Sequence, residues 1–96
     1  MTLRISGKHM DVGDSLSARI EERIGDAVDK YFGHGFSGKV TIEKTGAWFE
    51  TDCMVHLDSG VTLQASAREA DATASFDHAA ERIEKRLRRY TRKLKN

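Results

Sequence analysis

Phe49-Glu-Thr-Asp-Cys-Met-Val-His-Leu-Asp-Ser-Gly-Val-Thr-Leu-Gln-Ala-Ser-Ala67 is the stretch that decides the fold. Phe49, Thr51, Cys53, Val55 and Leu57 fall on one side of an extended chain, with Glu50, Asp52 and His56 on the other. That alternation has the period of a strand covered on one face only. Asp58-Ser59-Gly60 follows as a three-residue hairpin loop, its glycine placed for a left-handed bulge. Val61, Leu63, Ala65 and Ala67 resume the alternation as the partner strand. Such a hairpin needs other elements to cover its apolar face.

Those elements lie on both sides of it. Upstream, Lys39–Lys44 places Val40 and Ile42 on one face of another strand. Thr2–Ser6 does the same with Leu3 and Ile5, and Gly7-Lys8-His9 reads as the loop that leaves it. From Asp14 the period becomes helical, through Leu16, Ile20, Ile24, Ala27 or Val28, and Tyr31. Asp14 or Asp11 is placed to cap that helix, and Gly33-His34-Gly35 to stop it. Downstream, Asp71 is placed to cap a second helix whose apolar stripe runs through Ala72, Phe76, Ala79, Ile83, Leu87, Tyr90 and Leu94. The order β-α-β-β-β-α predicts an α+β two-layer sandwich: a four-stranded sheet with both helices, parallel to each other, on its apolar face. Residues 1–96 are a single domain's length.

Charge is distributed unevenly over this frame. Arg82–Asn96 holds eight of the sixteen Lys and Arg against one acid, Glu84, while residues 1–81 hold eight cations against fourteen acids. At about 100° per residue, Arg82, Arg86, Arg89 and Lys93 form a stripe beside the apolar one, and Lys85 and Arg92 widen it. Arg19, Arg23 and Lys30 form a weaker line on the first helix. Charge on a terminal helix is commonly just a solvated face, but solubility is served by mixed signs, which this helix lacks. A dense cationic strip of this kind fits a polyanion such as nucleic acid. One of the two basic stripes can line the groove between parallel helices and the other an outer edge; the sequence leaves open which.

Catalysis and metal binding find little support. His9, His34, His56 and His78 are scattered and have no Cys or His at zinc-ligand spacing. Cys53 alternates with core positions and reads as a buried, inert thiol that has no internal disulfide partner, in keeping with a reducing cytoplasm. Ser59 lacks a nucleophile's strand-turn-helix setting, and Gly33-His34-Gly35 lacks the lysine of a phosphate loop. The chain is therefore expected to be no enzyme, to need no cofactor or metal, and to bind no membrane or small-molecule substrate. Trp48 falls on the polar face of the sheet, where a base-stacking platform and a cap over the core edge both fit.

Several segments resemble the bacterial ribosome hibernation promoting factors, also known as ribosome-associated inhibitors or sigma-54 modulation proteins. Ile5-Ser6-Gly7-Lys8-His9-Met10-Asp11-Val12 is similar to their strand that ends in Gly-Lys/Arg-His/Asn before the first helix. Ile20-Glu21-Glu22-Arg23-Ile24 and Lys30-Tyr31-Phe32 are similar to that helix. Asp71-Ala72-Thr73-Ala74-Ser75-Phe76-Asp77, followed by Arg82-Ile83-Glu84-Lys85-Arg86-Leu87-Arg88-Arg89-Tyr90, resembles the family's Asp-led segment and basic second helix. The chain departs from the family at Ala72, Thr73 and Arg86, where Met, Tyr and Gln are usual.

The resemblance implies a double-stranded-RNA-binding-like fold that binds the small ribosomal subunit and its rRNA in the cytoplasm. It would block the mRNA and tRNA channel and stop translation in stressed or stationary cells. The RNA-binding candidates that it carries over are Lys8, His9, Arg23, Lys30, Arg82, Lys85, Arg86, Arg89, Arg92 and Lys93. It also implies that longer members self-associate through a C-terminal domain, so this chain is either a short member or part of a long one. Two other readings compete: a protein-interaction module for an acidic partner, and a general duplex-RNA binder.

Overall fold

In the computed structural model, which describes residues 2–95 and side chains through Lys93, the expected order is present. The elements are β1 (Thr2–Lys8), α1 (Gly13–Tyr31), β2 (Phe36–Thr45), β3 (Trp48–Leu57), β4 (Thr62–Glu69) and α2 (Ala72–Lys95). The sheet order is β1-β2-β3-β4, with β1 parallel to β2 and the other pairs antiparallel. Both helices lie on the apolar face. Ile20, Ile24 and Val28 of α1 meet Val40, Ile42, Cys53, Val55 and Leu57 of the sheet and Phe76, Ala79, Ile83 and Leu87 of α2 in one core. Burying a side chain such as Phe76 contributes about 1.5–3 kcal/mol, so this core rather than helix propensity holds α1 and α2 in place.

The loops follow local chemistry. Gly46, at φ 61, opens the two-residue link between the paired Thr45 and Trp48, as a glycine-first tight turn requires. Gly60, at φ 98, fills the left-handed position of the Asp58-Ser59-Gly60 hairpin, closed by the Gly60 amide donating to the Leu57 carbonyl at 2.8 Å. Asp71 caps α2 through its Oδ2, which accepts from the Ala74 amide at 2.9 Å.

Three expectations change. Neither Asp11 nor Asp14 caps α1. Val12 occupies the cap position without a side-chain bond, and Asp14 lies in the first turn, where its charge favours the helix dipole. The Gly7-Lys8-His9 loop is shorter than expected, because Gly7 and Lys8 continue β1 in register with Ile42 and Glu43. The left-handed residue there is His9, at φ 61, while Gly7 is needed because a Cβ would meet the Met10 carbonyl oxygen. The strand expected over Lys39–Lys44 starts earlier, at Phe36, since β2 pairs with β3 as far as Leu57. Leu94, placed on the apolar stripe of α2, lies outside the described side chains.

Candidate nucleic-acid interface

Two acids of α2, Asp77 and Glu84, point towards α1, while Arg82, Arg86, Arg89 and Lys93 point away from it. Asp77 receives both arms of the Arg19 guanidinium, Nε at 3.0 Å and Nη2 at 2.8 Å. Two turns further along α2, Glu84 accepts from Arg23 Nη1 at 2.6 Å and from the Tyr31 hydroxyl at 3.2 Å. Partners rise in number together along both helices, as parallel helices require. The basic line of α1 therefore fills the groove between the helices and is largely consumed there. Asp77 holds the Arg19 guanidinium, already a strong base, still higher. Burial pushes the Glu84 carboxyl up, but bonds from Arg23 and Tyr31 and the charges of Arg23 and Lys30 outweigh it and keep it below its ordinary range.

The stripe of α2 lies on the opposite flank, over the free edge of β4. Arg82 Nη1 donates to the Ser66 carbonyl oxygen at 2.5 Å. Arg86, Arg89 and Lys93 continue down the same side past Leu63 and Tyr90. Among the described residues, Lys85, Arg86, Arg88, Arg89, Arg92 and Lys93 have no carboxylate within salt-bridge distance. The Tyr90 and Ser59 hydroxyls share a 2.7 Å bond that ties α2 to the β3–β4 loop. α2, at 24 residues, is about 36 Å long, about the length of the ten-residue strands β2 and β3.

The candidates thus separate into three places. Arg82, Lys85, Arg86, Arg89, Arg92 and Lys93 share one helix, most of them on one open flank. Arg23 is in an ion pair, and Lys30 lies 5.2 Å over the Tyr31 ring. Lys8 and His9 sit at the far end of the sheet, since Lys8 aligns through Glu43 and Glu50 with Arg68, beside the start of α2. Sequence reasoning missed Asp52, Gln64 and Ser66, which line one cleft with Arg82 and Arg86. The signal available was that β4, last in the meander, is an edge strand followed directly by the basic helix.

The remaining chemistry is structural. Cys53 is buried, and burial, with the Asp52 charge adding, pushes its thiol up to about 12, which leaves it protonated and unreactive. No group of His, Cys, Asp and Glu suited to a metal ion occurs among the described residues, and no described helix is long and apolar enough to cross a membrane. Trp48 is 49% exposed on the open face of the sheet.

Comparison with known proteins places this geometry. Residues 3–95 match the family model described as sigma 54 modulation protein / S30EA ribosomal protein. The chain is 56% identical over 96 residues to the ribosome hibernation promotion factor of Rhizobium meliloti (strain 1021) and covers 50% of it. It is 50% identical to that of Bradyrhizobium diazoefficiens, covering 47%. The chain spans about half the length of the curated relatives it matches. Its fold is that of the Thermus thermophilus Protein Y N-terminal domain, with a TM-score of 0.85 at 22% identity over 94% of this chain and 99% of that one. A ribosomal subunit interface protein from Coxiella burnetii superposes with a TM-score of 0.78 at 18% identity, over 94% and 97% of the two chains. With its length matched almost throughout, the chain belongs to the sigma 54 modulation protein / S30EA ribosomal protein family.

Proposed function

We propose that this chain is a ribosome-binding domain with a hibernation role, acting by occupancy and not by catalysis. It works in the cytoplasm, where it holds the small ribosomal subunit through the outer flank of α2 against rRNA phosphates. Bound there, it blocks the path of mRNA and tRNA and stops translation when cells are starved or stressed. One observation carries this reading. The fold pairs Asp77 and Glu84 of α2 with arginines of α1, while Arg86, Arg89 and Lys93, on the opposite flank, have no carboxylate partner among the described residues. An open row of cations fixed on a rigid helix suits a polyphosphate backbone. Names of the relatives supply the ribosome as the partner.

The test is binding to purified small ribosomal subunits. Arg86→Glu, Arg89→Glu and Lys93→Glu combined should weaken binding by roughly 100-fold or more at physiological salt, because each reversal removes a phosphate contact. Arg82 is left intact, since it also joins α2 to β4. A variant that folds and binds as well as wild type would refute the site.

A further inference from the structure

The cleft where α2 crosses the β4 edge carries both signs of charge. Arg82 and Arg86 form its helical wall; Asp52, Gln64 and Ser66 form its sheet wall. Asp52 stands directly opposite Ser66 on the neighbouring strand, about 4.8 Å in from the edge. Its carboxylate makes no hydrogen bond or ion pair among the described residues, although two guanidinium groups line the same cleft. Arg82 is held in place by the Ser66 carbonyl, and Arg86, one turn on, has no carboxylate partner.

A phosphate alone would be ill served here, because a carboxylate beside it repels. A ribonucleotide unit presents two different groups, however. Its phosphate only accepts hydrogen bonds, and its 2′-hydroxyl is able to donate one. We propose that this cleft seats one ribose-phosphate unit of RNA, with Arg82 and Arg86 on the phosphate and Asp52, assisted by the Gln64 side-chain carbonyl, accepting from the 2′-hydroxyl. Asp52 and Gln64 are then the residues that distinguish RNA from DNA. The inference rests on the reading of the α2 flank as an RNA-binding surface, and adds to it a selectivity that a row of cations does not provide.

The experiment measures affinity for a short single-stranded oligoribonucleotide and for the deoxyribonucleotide of the same sequence, at one salt concentration. Wild type should prefer RNA by roughly 3- to 10-fold, the worth of one hydrogen bond. In Asp52→Ala, and more fully in Asp52→Ala with Gln64→Ala, affinity for DNA should rise as a repelling charge is lost, and the RNA preference should fall to about one. Both side chains are exposed on the open face, so unfolding temperatures should stay near that of wild type. An unchanged preference in these variants, equal affinities in wild type, or failure of wild type to bind the oligoribonucleotide overturns the proposal. Subunit binding by wild type and by the triple Glu variant is read in parallel. If subunits bind but no RNA preference appears, only the cleft assignment falls; if subunits do not bind, the wider reading falls.

Discussion

At the scale of single residues, the buried hydroxyl pair Thr51 and Ser75 shows how polar atoms are accommodated in the core. The two oxygens lie 2.7 Å apart, and Ser75 also donates to the Ala72 carbonyl at 2.8 Å. A serine hydroxyl has one proton, so Thr51 must be the donor within the pair. Ser75→Ala therefore strands a buried donor, at a cost of about 1–3 kcal/mol, whereas Thr51→Val leaves only an unused lone pair and costs about 1 kcal/mol. Urea unfolding of the two variants should rank them in that order. The reverse order would show that the proton is placed differently. Nothing in the sequence signalled this pair. Thr51 was legible as an inward position of β3, but the residue across from it depends on where α2 lands.

At the scale of elements, α1 and α2 are joined above their apolar contact by Arg19–Asp77 and Arg23–Glu84. The second pair carries a pH signature. The folded-state carboxyl of Glu84 lies below its ordinary value of 4.5, so its contribution to stability is complete above about that pH. It is lost as the pH falls through the folded value. Wild type should exceed Glu84→Gln in stability by less than about 1 kcal/mol at neutral pH, because both groups are partly in water. That margin should shrink as the pH is lowered from about 4.5. Unfolding midpoints measured across a pH series check it, and a margin that does not vary with pH would contradict the assignment. The Asp71 cap could be read in advance, because its side chain reaches only the amide of Ala74, three residues on. The start of α1 could not, because Gly13 enters at φ 80 and turns the chain so that neither nearby aspartate meets the free amides.

At the scale of the whole molecule, the two layers sort charge. Cations that face the groove meet acids, and cations on the outer flank of α2 meet solvent. With Lys85, Arg86, Arg89, Arg92 and Lys93 open, the logarithm of affinity for small subunits should fall against the logarithm of salt concentration with a slope of about −4 to −5. A titration from low to high salt measures it. A slope near zero would mean that contacts other than phosphate pairing dominate the interface. The candidate Lys8 stands on β1, at the opposite edge of the sheet from β4, with His9 directly after it, so any contact they make lies across the open face from that row.

Period alone determined much of this protein. Alternation from Phe49 to Ala67 placed the sheet's covered face, and helical spacing placed both apolar stripes, because side-chain direction along a strand or helix follows from backbone geometry. The concentration of cations after Glu81 was equally plain. Which of those cations stay open was decided by tertiary structure, since pairing depends on which flank of α2 meets α1. The same holds for the cleft at Asp52, Gln64 and Ser66, whose residues come together only when the last helix crosses the edge strand.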